Sequence, residues 1–154
     1  MMTKTAYYMQ MAQEAAAQIT GSKEQWTAFL TTSARLYKYP FAEQLMIYKQ
    51  RPEATACAEY DLWNDRMNRY VKRGSKGIAI LDSDSNGQAR IKYYFDIADT
   101  HEGRHPSPVP IWAVHSEQEQ AIVETLENSF GVLENTDTLG NALISAASNV
   151  MEDN

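Results

Sequence analysis

Apolar residues recur at spacings of three and four through the first third of the chain. Tyr8, Met11, Ala12, Ala15 and Ile19 do so inside an alanine-rich stretch, which predicts a helix over 4–19 that ends before Gly21. Ser22 and Gln25 have the spacing of a capping box. Behind them Trp26, Phe29, Leu30, Ser33 and Tyr37 trace one face of a second helix. Pro40 pushes Tyr39 out of helical space. A third helix is predicted over 41–49, with Phe41, Leu45 and Tyr48 on one side and Pro52 closing it. The pattern changes at Glu59. Residues 59–67 predict a short helix, and 69–72 and 78–82 predict strands around the turn Arg73-Gly74-Ser75-Lys76-Gly77. Asp84-Ser85-Asn86-Gly87 signals a hairpin, with 90–97 as its return strand. Pro106, Pro108 and Pro110 predict an irregular connection over 99–110. Ser116 with Glu119 forms another capping-box pair. It leads into a helix over 117–129 with Ile122, Val123, Leu126 and Phe130 inward, and a last helix covers 139–151. The fold class is therefore α+β: N-terminal helices, a small hairpin-rich antiparallel sheet, then C-terminal helices, with no internal repeat.

The chain of 154 residues fits one ordinary domain with a small appendage, and 44% hydrophobic residues can fill one core. No run of about 18 apolar residues exists, so no transmembrane helix is expected. The start, with one lysine and no apolar stretch, does not read as a signal peptide, which leaves the cytoplasm as the expected compartment. Cys57 is the only cysteine, so no intrachain disulfide can form; between Ala56 and Ala58 it reads as a small core residue.

Charge changes the picture. Residues 35–92 hold 11 of the 14 Lys and Arg but 7 of the 20 Asp and Glu, a local charge near +4 in a chain of net −6. Arg66, Arg69, Lys72, Arg73 and Lys76 follow one another with no acid between Arg66 and Leu81, and Trp63 and Tyr70 lie among them. Phosphates call for Lys and Arg, and unstacked bases for flat rings, so this composition suits single-stranded nucleic acid. The overall acidity argues against polyanion binding by the whole surface but not by one basic groove. The expected site is a phosphate-contacting hairpin of Arg66, Arg69, Lys72, Arg73 and Lys76, extended by Lys38 and Arg51. Tyr39, Trp63 or Tyr70 would stack on bases, and Gln44 would bond a base edge. On a strand, Arg69, Val71 and Arg73 would share one face and Tyr70 and Lys72 the other. The bland alternative is a solvated hairpin with Trp63 in the core. The two glycines around Ser75-Lys76 permit an anion nest as readily as a tight turn, and their spacing is not that of a Walker loop.

His101-Glu102-Gly103-Arg104-His105 matches the His-Glu-x-x-His pattern of zinc hydrolases. That chemistry needs both imidazoles on one helical face, and the central Gly103 and the prolines that follow argue against a helix. Asp82, Asp84, Asp96 and Asp99 could be imagined as a cation cluster, but Asp82 and Asp84 flank a turn, where Asp serves local hydrogen bonding. No enzymatic activity, cofactor or metal is expected.

Over Tyr37–Leu81 the sequence resembles the N-terminal domain of the ArdC-type antirestriction proteins. The resemblance is carried by Phe29, Leu30, Tyr39, Gln44, Leu45 and Ile47, then Gln50-Arg51-Pro52, Ala54-Thr55 and Trp63. It continues through Val71–Ile78, then Tyr94–Ile97 and Asp99-Thr100. It covers roughly residues 22–115. In the variant with Tyr-Lys-Tyr-Pro-Phe and Ala-Thr-Ala-Cys-Ala, it is similar to large mobile-element proteins of Firmicutes. This chain has Ala42 and Glu43 where many members carry an asparagine. The resemblance implies a single-stranded-DNA-binding domain from a conjugative plasmid or mobile element, protecting transferred DNA from restriction. Other domains of a longer parent protein would be its neighbours. It implies an organisation of an N-terminal helix over 1–21, the binding domain over 22–115, and a helical extension over 116–154 packed on it. The second reading is a protein-interaction module using the same basic patch, and the third a metal-dependent hydrolase using His101, Glu102 and His105.

Overall fold

The computed structural model describes residues 1–111 and 113–152 and has the α+β architecture, with helices at both ends and five short antiparallel strands between them. The chain divides into two compact units, Met1–Trp112 and Ala113–Asn154.

In the first unit, helices α1 (Lys4–Ile19), α2 (Lys23–Arg35) and α3 (Phe41–Gln50) lie close to the expected spans. Their starts are chemically marked. Thr3 accepts from the Ala6 N–H and Ser22 from the Gln25 N–H, each contact typically worth about 1 kcal/mol. Strands β1 (Cys57–Ala58), β3 (Ile78–Ser83) and β4 (Ala89–Asp96) form one antiparallel sheet in the order β1-β4-β3. The β3–β4 turn is the hairpin its residues predict: Gly87 takes φ +77°, and the Asp84 carboxylate accepts from the N–H groups of Asn86 and Gln88. One sheet face supplies Cys57, Ile78 and Ile80 to a core completed by Leu36, Met46, Ile47 and Ala54, with Tyr39 and Tyr94 packed against it. A second cluster joins Ala15, Ile19, Phe29 and Leu45 of the three helices.

Three expectations change. Residues 69–72 and 78–82 do not pair with each other. Strand β2 (Arg69–Val71) pairs instead with β5 (Thr100–Glu102), with Tyr70 opposite His101, so the Arg73–Gly77 segment links two sheets rather than closing a hairpin. The Lys72 N–H donates to the Asp99 carbonyl and so prolongs the β2–β5 ladder, and a turn from Ser75 N–H to the Lys72 carbonyl then redirects the chain. Residues 62–66 form one wide helical turn, closed by the Met67 N–H on the Leu62 carbonyl, rather than a regular helix. On α2, Phe29 is buried, but Trp26 and Leu30 are half exposed, because Phe29 takes the centre of an aromatic group with Trp26, Phe41 and Tyr48 arrayed around it; Tyr37, expected on the same helical face, lies past the helix end and is half exposed too.

The second unit is a helical hairpin of α4 (Ser116–Phe130) and α5 (Leu139–Glu152). Leu133, Ala142 and Ala146 form its core, with Val123 and Leu126 against them, while Phe130, expected inward, is half exposed. The capping box falls one residue earlier than expected, on His115 and Gln118 rather than Ser116 and Glu119. The Asn149 amide closes the hairpin by donating to the Phe130 and Val132 carbonyls. Among the described residues no helix is long and apolar enough to cross a membrane.

Candidate nucleic-acid interface

The eleven residues expected to touch DNA separate into two sets. Five of them hold the scaffold together. Trp63 is 2% exposed, and its Nε1–H donates to the Phe95 carbonyl at 2.8 Å, so it is no stacking platform. Gln44 is buried between α2 and α3; its amide donates to the Leu36 carbonyl at 2.8 Å and its Oε1 accepts from Ser33 Oγ at 2.7 Å, which leaves nothing to read a base. Tyr39 is not the exposed ring of a bend. Its hydroxyl donates to the Cys57 carbonyl and accepts from the Cys57 N–H at 2.8 Å, and burial pushes its pKa up to about 12. Arg51 grips both oxygens of Asp99 at 2.6 and 3.1 Å and also meets Glu53 at 2.6 Å, contacts that raise its basicity further and neutralise it locally. Arg69 keeps only 13% of its side chain exposed, bonded to Thr100 Oγ1 at 2.9 Å and paired with Glu102 at 3.4 Å.

The remaining six face solvent. Lys38 is exposed, its ammonium 5.8 Å from the Tyr37 ring centroid. Arg66, Tyr70, Lys72, Arg73 and Lys76 belong to the β2–β5 ribbon and its two flanks. Strand alternation places Tyr70 and Lys72 on one face and Arg69 and Val71 on the other, as the two-residue period requires. Lys72 donates to the Ala98 carbonyl at 3.1 Å. Arg66, Lys72, Arg73 and Lys76 make no ion pair among the described residues. Their fields therefore point outward uncompensated, which is what attraction of a polyanion needs.

The ribbon also pairs Tyr70 with His101, a ring that the sequence offered only as a metal ligand. Tyr70 is 39% exposed and lies beside His101 with ring centroids 5.7 Å apart. The strand that carries His101 is hidden in sequence by the glycine and prolines after it, so its pairing with Tyr70 had no local signal. Gly103 is fixed by the same geometry: a Cβ there would come within 2.5 Å of Asn68 Oδ1 and 2.8 Å of Tyr70 Cε2. Asn68 itself sits at φ +50°, a conformation asparagine tolerates better than most residues.

This arrangement also decides the His-Glu-x-x-His motif. His101 and Glu102 lie on β5, where successive side chains alternate, and His105 lies past the bend, so the imidazoles share no helical face. Among the described residues no three His, Cys, Asp or Glu side chains are grouped to hold a metal ion. The four aspartates are engaged separately. Asp82 binds Arg90, Asp84 builds its turn, and Asp99 holds Arg51. Buried Asp96 accepts from the N–H groups of Thr55, Ala56 and Ala98. Burial and the neighbouring Asp96 push the pKa of the Cys57 thiol up, which disfavours its thiolate.

No family model matches the sequence, and comparison with curated proteins and with solved structures finds no match either.

Proposed function

We propose that this chain is a non-enzymatic single-stranded-DNA-binding domain of a conjugative or mobile-element protein, working in the cytoplasm to protect transferred DNA from restriction. The observation that carries the reading is the exposed Tyr70–His101 ring pair on a ribbon flanked by Arg66, Lys72, Arg73 and Lys76, which make no ion pair among the described residues. Arg66, Lys72, Arg73 and Lys76 would neutralise phosphates while Tyr70, backed by His101, stacks on a base. The resemblance of the Tyr37–Leu81 segment to the ArdC-type domain supports the same reading. Stacking accepts any base and is worth about 1–3 kcal/mol per base, so sequence preference is weak and affinity falls with salt.

The test is fluorescence anisotropy of a labelled mixed-sequence oligonucleotide, single- and double-stranded, at two salt concentrations. Salt-dependent binding that favours the single strand is expected. Absence of binding to either form at low salt overturns the reading. The basic patch would then serve a protein partner, which a salt-sensitive complex with protein but not oligonucleotide would identify.

A further inference from the structure

The structure also has an open pocket of about 390 Å³ with a chemistry different from the ribbon's. Its walls are aromatic: Tyr60 from the turn before Trp63, and Tyr93 and Phe95 from alternate positions of β4, which places both rings on the sheet face opposite Tyr94. Its floor is Gly77, where a Cβ would come within 3.1 Å of the Tyr93 side chain and 3.3 Å of Phe95, so the rings close directly on backbone. Glu59 and Asp61 complete the lining; both are exposed, and neither carboxylate makes a hydrogen bond or ion pair among the described residues. Arg90, the cation that senses Glu59, is already held by Asp82 at 2.8 Å. Tyr60 is 51% exposed and has no ring partner among the described residues.

We propose that this pocket receives a cationic side chain, lysine or arginine, from a basic segment of a partner protein. Rings present their negative faces to an ammonium or guanidinium, and flanking carboxylates add a full charge that water alone now screens. The folded chain already shows the affinity of one wall for such a group. The Lys4 ammonium stands 4.9 Å from the Tyr93 ring centroid, and its pKa is raised chiefly by that side chain. Glu59 and Asp61 are the charged residues of its lining, so that lining is negative and suits a cation better than a phosphate. The inference stands independently of DNA binding.

The experiment is an NMR titration of the whole chain with n-butylammonium and n-butylguanidinium chloride. Potassium chloride is matched for ionic strength, and n-butanol and deoxycytidine serve as comparison ligands. The cations are expected to shift the amides of Glu59–Asp61, Gly77, Tyr93 and Phe95 with midpoints in the millimolar range, as a contact of this strength implies. The double variant Glu59→Gln/Asp61→Asn, which removes charge without volume, is expected to weaken them about fivefold. Equal shifts with butanol, no shifts beyond those of potassium chloride, or a response unchanged in the double variant each overturn the proposal. Tighter binding of deoxycytidine at the same amides also overturns it and makes the pocket a base site.

Discussion

The three-stranded sheet and the two-stranded ribbon use the same kinds of side chain to opposite ends. On the core side of the sheet, rings and polar groups that the sequence offers for binding are turned to internal bonding. Trp63 donates to Phe95, and Tyr39 bridges both backbone groups of Cys57. Gln50 pairs with both the N–H and the C=O of Ala79, mimicking a further strand along β3. On the ribbon, strands of three residues have only one packed side. Tyr70 and the cations on its flanks keep their charge and ring faces for something outside the chain. The same residue types that stabilise one region are left over in the other, and surplus bonding capacity at a surface is where binding is to be sought.

The comparison breaks most visibly at the two aromatic residues it separates. Trp63→Ala removes a fully buried indole and its bond to Phe95 and is expected to cost about 3–5 kcal/mol, read as a lower urea midpoint. Tyr70→Ala should cost under ~0.5 kcal/mol in the same assay while weakening DNA binding. Equal losses of stability at the two positions would erase the distinction.

Alkaline pH probes the sheet. Tyr39, with a usual pKa of 10.0, is held up to about 12 in the fold, and the Cys57 thiol, usually near 9.0, is raised as well. The folded state thus binds these protons more tightly than the unfolded chain. Their contribution is complete below pH 9 and is lost progressively as pH rises through 9–12. For Tyr39 alone, solvent screening at its partly exposed ring leaves a contribution of roughly 1–2 kcal/mol. Thermal melts from pH 8 to 11 should show a falling midpoint, less steep in Tyr39→Phe. A flat profile would show that these groups are not held as their burial requires.

Gly103→Ala tests the ribbon's own architecture. The added methyl has no room beside Asn68 and Tyr70, so the ribbon must shift, at about 1–3 kcal/mol. Oligonucleotide affinity should fall in the folded protein, because Tyr70 moves. Retained affinity would detach Tyr70 from the site.

The helices and the β3–β4 hairpin were legible because their signals are local: apolar spacing, the Ser22 cap, and an Asp-Ser-Asn-Gly turn that needs φ > 0 at its glycine. The pairing of β2 was not. Arg69–Val71 finds its partner some thirty residues later in Thr100–Glu102, a strand too short to show alternation and followed by glycine and prolines. The site list suffered from the same distance effect. Lys72, Arg73 and Lys76 lie where a charge run without acids suggests, on the surface. Arg51 and Arg69 sit in the same positive stretch, yet Asp99 and Glu102 from the far side of the hairpin neutralise them. Tyr39, Gln44 and Trp63 carried the family resemblance, but such identities can persist for the core's sake as well as for the ligand's.

The finest division falls between two arginines of that stretch, and single substitutions separate them. Arg73 has no acidic partner among the described residues, so Arg73→Ala should leave stability within ~0.5 kcal/mol. It should weaken every oligonucleotide alike and lower the salt slope by roughly 0.7, the share of one phosphate contact on a single strand. Arg51 is the control. Arg51→Ala strips Asp99, whose side chain is only 18% exposed, of two charge-assisted bonds and should destabilise the fold by about 1–3 kcal/mol with the salt slope unchanged. Anisotropy at three salt concentrations, with urea melts on the same samples, reads both quantities. If Arg51→Ala lowers the slope and Arg73→Ala does not, the DNA path runs over α3 rather than the ribbon. If Arg73→Ala weakens one sequence only, the ribbon reads bases rather than holding a backbone.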